Sequence, residues 1–98
     1  MKNQKISLEK LEDAASRLRA ISHPMRIAII DMLEKKGQMN VTQIHLKLKI
    51  EQAAASHHLS ILKNKNVISF KRDGKSNYYH LKPGVVDKLV ECINLCCK

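Results

Sequence analysis

Acidic side chains are scarce in this chain: 9 Asp and Glu stand against 18 Lys and Arg, a formal charge of +9 and a pI near 9.7. Such a surface repels cationic partners and attracts polyanions, nucleic acid first and an anionic membrane surface second. Aromatics are almost missing, with no Trp, one Phe and two Tyr. All three fall in one short segment, Phe70 to Tyr79, so no platform exists elsewhere on which single-stranded bases could stack. Glycine and proline are too few and too scattered to mark a linker, and no repeat or low-complexity tract divides the chain, so residues 1–98 read as one domain. No apolar run reaches the length of a membrane span, and the start lacks a signal-peptide core. The expected location is the cytoplasm, with no membrane partner. Cys92, Cys96 and Cys97 crowd one end instead of spreading along the chain. That pattern excludes a disulfide framework and fits reduced thiols. Enzyme motifs are also missing. The chain has no nucleophile, base and orienter set, no Gly-rich phosphate loop and no carboxylate pair in apolar surroundings, so no enzyme and no cofactor are expected.

What is present is helical periodicity. Apolar residues are 44% of the chain, enough for a folded domain. Leu8, Leu11, Ala15 and Leu18 recur at helical spacing and predict a helix over 8–21. Pro24, welcome in a first turn, starts a second helix, "PMRIAIIDMLEKK", apolar most of the way round and hence the central buried helix, with Gly37 as its stop. Asn40 and Gln43 have capping-box spacing and open a short third helix with Val41, Ile44 and Leu48 inward. Lys49-Ile50-Glu51 makes a turn. A fourth helix over 52–65 then carries the stripe Ala55, Leu59, Leu62.

From there the period changes to two. Ile68 and Phe70 alternate with Ser69 and Lys71, Asp73-Gly74 signals a tight hairpin, and "SNYYHL" returns, giving a hairpin over 68–81 with Phe70 and Tyr79 toward the core. Val86, Leu89, Val90 and Ile93 mark a last helix. The fold expected is mostly α with a β-hairpin wing: a winged helix-turn-helix, order α-α-α-α-β-β-α.

The stretch "EQAAASHHLSILK", 51–63, carries the function. A recognition helix packs with one face and offers the other to a major groove about 12 Å wide. The outward face here is Gln52, Ala53, Ser56, His57 and Ser60, continued by Lys63. Small side chains let the backbone approach base edges, Gln52 can pair with adenine in two places, and the helix N-terminus offers N–H groups to a phosphate. Read alone, the three alanines are only good helix formers; their place before a basic hairpin gives them the DNA-facing reading. His58 lies at the edge of the inward face and is expected to bond a neighbouring element or a phosphate. Lys71, Arg72 and Lys75 around the hairpin tip suit phosphates or a neighbouring minor groove. The partner expected is a double-stranded DNA operator.

"LRAISHPMRIAIIDML", "QAAASHHLSILKNKNVI" and "RDGKSNYYHL" resemble the matching segments of the arsenic-repressor (ArsR/SmtB) family of bacterial regulators, over roughly residues 8–82. The resemblance implies a homodimeric repressor that releases its near-palindromic operator when an effector binds. It also implies that Gln52, Ala53, Ser56 and His57 fall on DNA-reading positions, and that the first and last helices form the dimer interface. The stripes Leu8, Leu11, Leu18 and Val86, Leu89, Val90, Ile93 are too apolar to be left exposed, which points to the same interface. The family's metal motifs do not carry over. Asn40 and Thr42 stand where the third helix would hold cysteines, and the last helix has Asp87 and Glu91 but no histidine. His23 replaces the usual Asp before the proline. Lys49 replaces the usual Gly of the turn, which costs about 1 kcal/mol if that position has positive φ.

Cys92, Cys96 and Cys97 leave three readings open: interface packing, a thiol redox switch, or a seat for a soft metal or metalloid. An effector, if there is one, is not identified by the sequence. A protein- or RNA-interacting winged helix is the competing class; the polar face of Gln52, Ser56 and His57 argues against it.

Overall fold

The structure, a computed structural model, describes residues 7–84. Its elements are α1 (Leu8–Ile21), α2 (Pro24–Lys36), β1 (Met39–Asn40), α3 (Val41–Leu48), α4 (Gln52–Asn64), β2 (Ile68–Asp73) and β3 (Ser76–Leu81). The expected last helix, with Val86, Leu89, Val90, Ile93 and all three cysteines, Cys92, Cys96 and Cys97, lies outside the described residues.

Helix boundaries follow local chemistry. Ser7 caps α1 by accepting from the Lys10 N–H at 3.2 Å. His23 takes the N-cap of α2, its Nδ1 accepting from the Met25 N–H at 3.1 Å, so an imidazole does the work of the shorter acidic cap. Gly37 ends α2 at φ 89°, a region open to glycine and costly for other residues. Asn40 and Gln43 form the reciprocal capping box in full, at 2.8 and 2.9 Å. Lys49 closes α3 in the left-handed region, φ 58° and ψ 43°, where a glycine would be unstrained.

One core binds these elements. Ile29, Ile30 and Leu33 of α2, Ile44 of α3, Leu59 and Leu62 of α4, and Ile68 of β2 are fully buried. Each such side chain contributes roughly 1.5–3 kcal/mol of burial. Helix α2 is central as expected, although its Ile27 and Met32 are only partly covered.

The sheet departs from expectation in three ways. It has three strands in the order β1-β3-β2, because Met39 and Asn40 pair with Tyr79 and Tyr78. The element order is therefore α-α-β-α-α-β-β over the described residues, with one strand more than the sequence reading. The hairpin tip is also displaced by one residue: Asp73 pairs with Ser76, leaving Gly74-Lys75 as the loop with Gly74 at φ 66°. Register is decided by the apolar cross-strand pairs Ile68–Leu81 and Phe70–Tyr79, and the glycine then falls at the first loop position, which needs positive φ. Lastly, Phe70 is not part of the buried core. It is half-buried, with its ring 5.6 Å from that of Tyr79, and Tyr79 alone of the two packs on the core.

Candidate nucleic-acid interface

Helix α4 divides as its sequence divides. Ala55, Leu59 and Leu62 are buried against the core. Gln52, Ala53, Ser56, His57, Ser60 and Lys63 are all exposed, and their spacing puts them on one face. The helix has Glu51 at its N-cap with no side-chain cap bond, so the first-turn N–H groups of 52–54 stay available to an acceptor from outside. Lys63 does more than project. Its Nζ sits 4.9 Å from the centre of the Phe70 ring, a cation–π contact that ties the far end of α4 to the wing.

The wing stands beside this face. Lys71, Arg72 and Lys75 are exposed at its tip. Arg72 donates from Nε to the Gly74 carbonyl at 3.3 Å, which folds the guanidinium over the turn. Between wing and helices runs a polar groove of about 360 Å³, walled by the start of α3 (Asn40, Val41, Thr42), the first two turns of α4 (Gln52, Ser56) and β3 with its approach (Lys75, Ser76, Asn77, Tyr79). The groove brings Gln52 and Ser56 together with Lys75. His57, Ser60, Lys71 and Arg72 lie outside its walls.

Sequence reading passes over two residues here. Thr42, noted only as a non-cysteine, is exposed at the opening turn of α3 beside Gln52. Asn77 lines the groove with its Oδ1 buried and without a hydrogen-bond partner. Neither shows in a linear pattern, because it is the pairing of β3 with β1 and its packing on α2 and α3 that bring the wing beside these helices.

His58 faces the opposite way, as expected. Its Nδ1 accepts from Arg26 Nε at 3.3 Å, and its ring lies 4.7 Å from that of His23 and 6.0 Å from that of His57. Burial, then the neighbouring His23, Arg26 and His57, hold its pKa below the ordinary histidine value. Arg26 donates from its other arm to the Ala20 carbonyl at 2.9 Å. Among the described residues no group of three His, Cys, Asp or Glu side chains is placed to hold a metal ion, and no described helix is long and apolar enough to cross a membrane. On α1, Leu8, Leu11 and Leu18 are 70%, 50% and 51% exposed, an apolar stripe that the described part of the chain leaves uncovered.

Comparison with known proteins agrees with this geometry. Residues 23–69, from the α2 cap into the wing, match the model of the family "Bacterial regulatory protein, arsR family". Transcriptional repressor PagR of Bacillus anthracis is 36% identical over 92 residues, covering 94% of this chain and 92% of PagR. The crystal structure of NolR from Sinorhizobium fredii superposes with a TM-score of 0.83 at 34% identity, covering 96% of both chains. That of PagR gives 0.79 at 34% identity, over 89% of this chain and 99% of PagR. A winged helix-turn-helix with a polar, exposed second helix, matched nearly end to end by such regulators, places this chain in the arsR family of DNA-binding bacterial transcriptional regulators, which are not enzymes.

Proposed function

We propose that the chain is a homodimeric repressor, acting in the cytoplasm as one domain over 1–98, that reads a near-palindromic DNA operator. The observation that carries this reading is the two-faced α4, with Gln52, Ala53, Ser56, His57, Ser60 and Lys63 exposed over a buried Ala55, Leu59 and Leu62. Helix α4 enters the major groove with Gln52, Ala53, Ser56 and His57 toward base edges and Ser60 and Lys63 toward the backbone. The wing lays Lys71, Arg72 and Lys75 along phosphates. A second copy joins through the uncovered Leu8, Leu11 and Leu18, with Val86, Leu89, Val90 and Ile93 completing the interface, and the two reading helices then meet successive grooves. The repressor role is supported by the name of PagR, and the dimer by a solution structure from Mycobacterium bovis described as a homodimeric winged helix-turn-helix domain, which shares the fold at a TM-score of 0.84.

The test separates reading from positioning. A preferred site is first selected from random duplexes. Gln52→Ala or His57→Ala then loses specificity, by about 1–3 kcal/mol per good base contact. Arg72→Ala or Lys75→Ala weakens binding to every sequence and lowers the salt slope by about one per lost phosphate contact. Wing variants that change sequence preference while the helix variants do not would reverse the assignment. No selectable duplex at all would refute the operator reading.

A further inference from the structure

Arg26 holds two elements at once. One arm donates to the Ala20 carbonyl, at the C-terminal end of α1, where the helix dipole favours a cation. Its Nε donates to Nδ1 of His58 on α4. A single guanidinium thus connects the helix bearing the uncovered leucine stripe to the helix bearing the exposed polar face. The second connection exists only while His58 Nδ1 has a free lone pair.

We propose that Arg26 and His58 form a proton-operated latch that sets how α4 is held against α1. When His58 takes a proton from solvent at Nδ1, that atom becomes a donor facing another donor. Arg26 keeps its charge, the Nε–H···Nδ1 bond is lost, and no covalent bond is made or broken. Among the described residues nothing near the pair compensates. The groups that face His58 are His23 at the α2 cap, Arg26 on α2 and His57 on α4 itself, and every one is basic. Helix α1 contributes the Ala20 carbonyl, already taken by Arg26, and among the described residues no group of α1, α3 or β2 joins that charged set. His23 has spent its own Nδ1 on the Met25 N–H, so it has no lone pair there to turn toward His58. An imidazolium in this place meets repulsion from these basic neighbours and moves away, loosening α4 from the end of α1. The consequence for DNA rests on the reading of α4 as the recognition helix. Mild acid weakens specific binding even though protonated histidines would otherwise strengthen attraction to phosphate.

The experiment has a protein arm and a DNA arm. In the first, NMR follows the His58 ring and the Arg26 Nε–H of the full chain as pH falls. The expected result is one midpoint shared by both signals and by the amides of Ala20, Ile21 and the first turns of α4. His58→Asn keeps an acceptor oxygen where Nδ1 was and cannot titrate, so its Arg26 signal stays constant. An Arg26 signal unmoved while His58 titrates overturns the latch. In the second arm, affinity for a selected duplex falls through the same pH range in wild type, by roughly tenfold or more, as for loss of one hydrogen bond to a charged group. It does not fall so in His58→Asn. Equal pH profiles for the two proteins overturn the regulatory role. Should no duplex be bound at any pH, the recognition-helix reading fails, and the NMR arm still decides whether the latch exists.

Discussion

Lys49→Gly is expected to stabilise the protein. Lys49 is the C-cap of α3, at the start of the turn into α4, and it sits at φ 58° and ψ 43°. For an L-residue with a Cβ that region costs roughly 1–2 kcal/mol. Glycine removes the cost but gives the unfolded chain more freedom, a loss of roughly 0.4–1 kcal/mol. The central values leave a gain of about 0.8 kcal/mol, and for a domain of this size it raises Tm by about 3–6 °C. Urea unfolding at one fixed protein concentration measures it as a higher midpoint with an unchanged slope. Lys49→Ala is the control, because it removes the same charge and keeps the Cβ. If Ala gained as much as Gly, the effect would be relief of charge and not of backbone strain. If Gly left the midpoint unchanged or lowered it, the conformational argument would be wrong. Asn66 provides the contrast: at φ 62° it is the other non-glycine residue with positive φ among the described residues, and asparagine tolerates that region. Asn66→Ala should therefore cost stability where Lys49→Ala is nearly neutral.

The remaining predictions concern assembly, acid and packing. Leu11→Glu with Leu18→Glu should convert the dimer to monomer in sedimentation, since each leucine is about half exposed and covering the rest is worth roughly 0.8–1.5 kcal/mol on each side of the two-fold, besides the cost of burying a carboxylate; a dimer that persists removes α1 from the interface. His58 binds a proton less readily folded than unfolded, so stability is unaffected above the ordinary histidine range and declines as pH falls into and below it. Urea midpoints should show that decline in wild type and a shallower one in His58→Asn. Leu59→Ala, at a fully buried position on the inward face of α4, should cost about 2–5 kcal/mol, measured by the same midpoints; a change below 1 kcal/mol, by the same principle, would mean that α4 is not anchored there.

The two faces of α4 were legible because three apolar residues at helical spacing fix a helix's rotation, and the polar face follows by geometry. The caps at Asn40 and Gly37 were legible because each depends on residues close in the chain. β1 was not. Two residues have no period, and Met39-Asn40 becomes a strand only because β3 offers it an edge. The hairpin tip was misplaced by one residue because the Asp-Gly signal is local, whereas cross-strand packing of Phe70 on Tyr79 decides the register. The alternation of Ile68 and Phe70 with Ser69 and Lys71 points Phe70 toward the core, but in the fold it lies between Tyr79 and the Lys63 ammonium. Arg26–His58 joins positions far apart in sequence, and neither residue announces the other.

The short ladder between β1 and β3 also bears on the order of assembly. Helices α1 to α4 can dock through neighbours along the chain. Met39 meets Tyr79 only after α3, α4 and β2 have been threaded between them. Closing that long loop costs entropy that two residue pairs repay poorly until the intervening helices are already compact. The ladder therefore closes late, and it is the first part of the sheet to open when the native state fluctuates, while β2 stays anchored through Ile68. A nascent chain would thus acquire its helical core and the anchored base of the hairpin before β1 is fixed to β3. Slow hydrogen exchange should accordingly extend through α2 and α4 and stop short of the β1 amides.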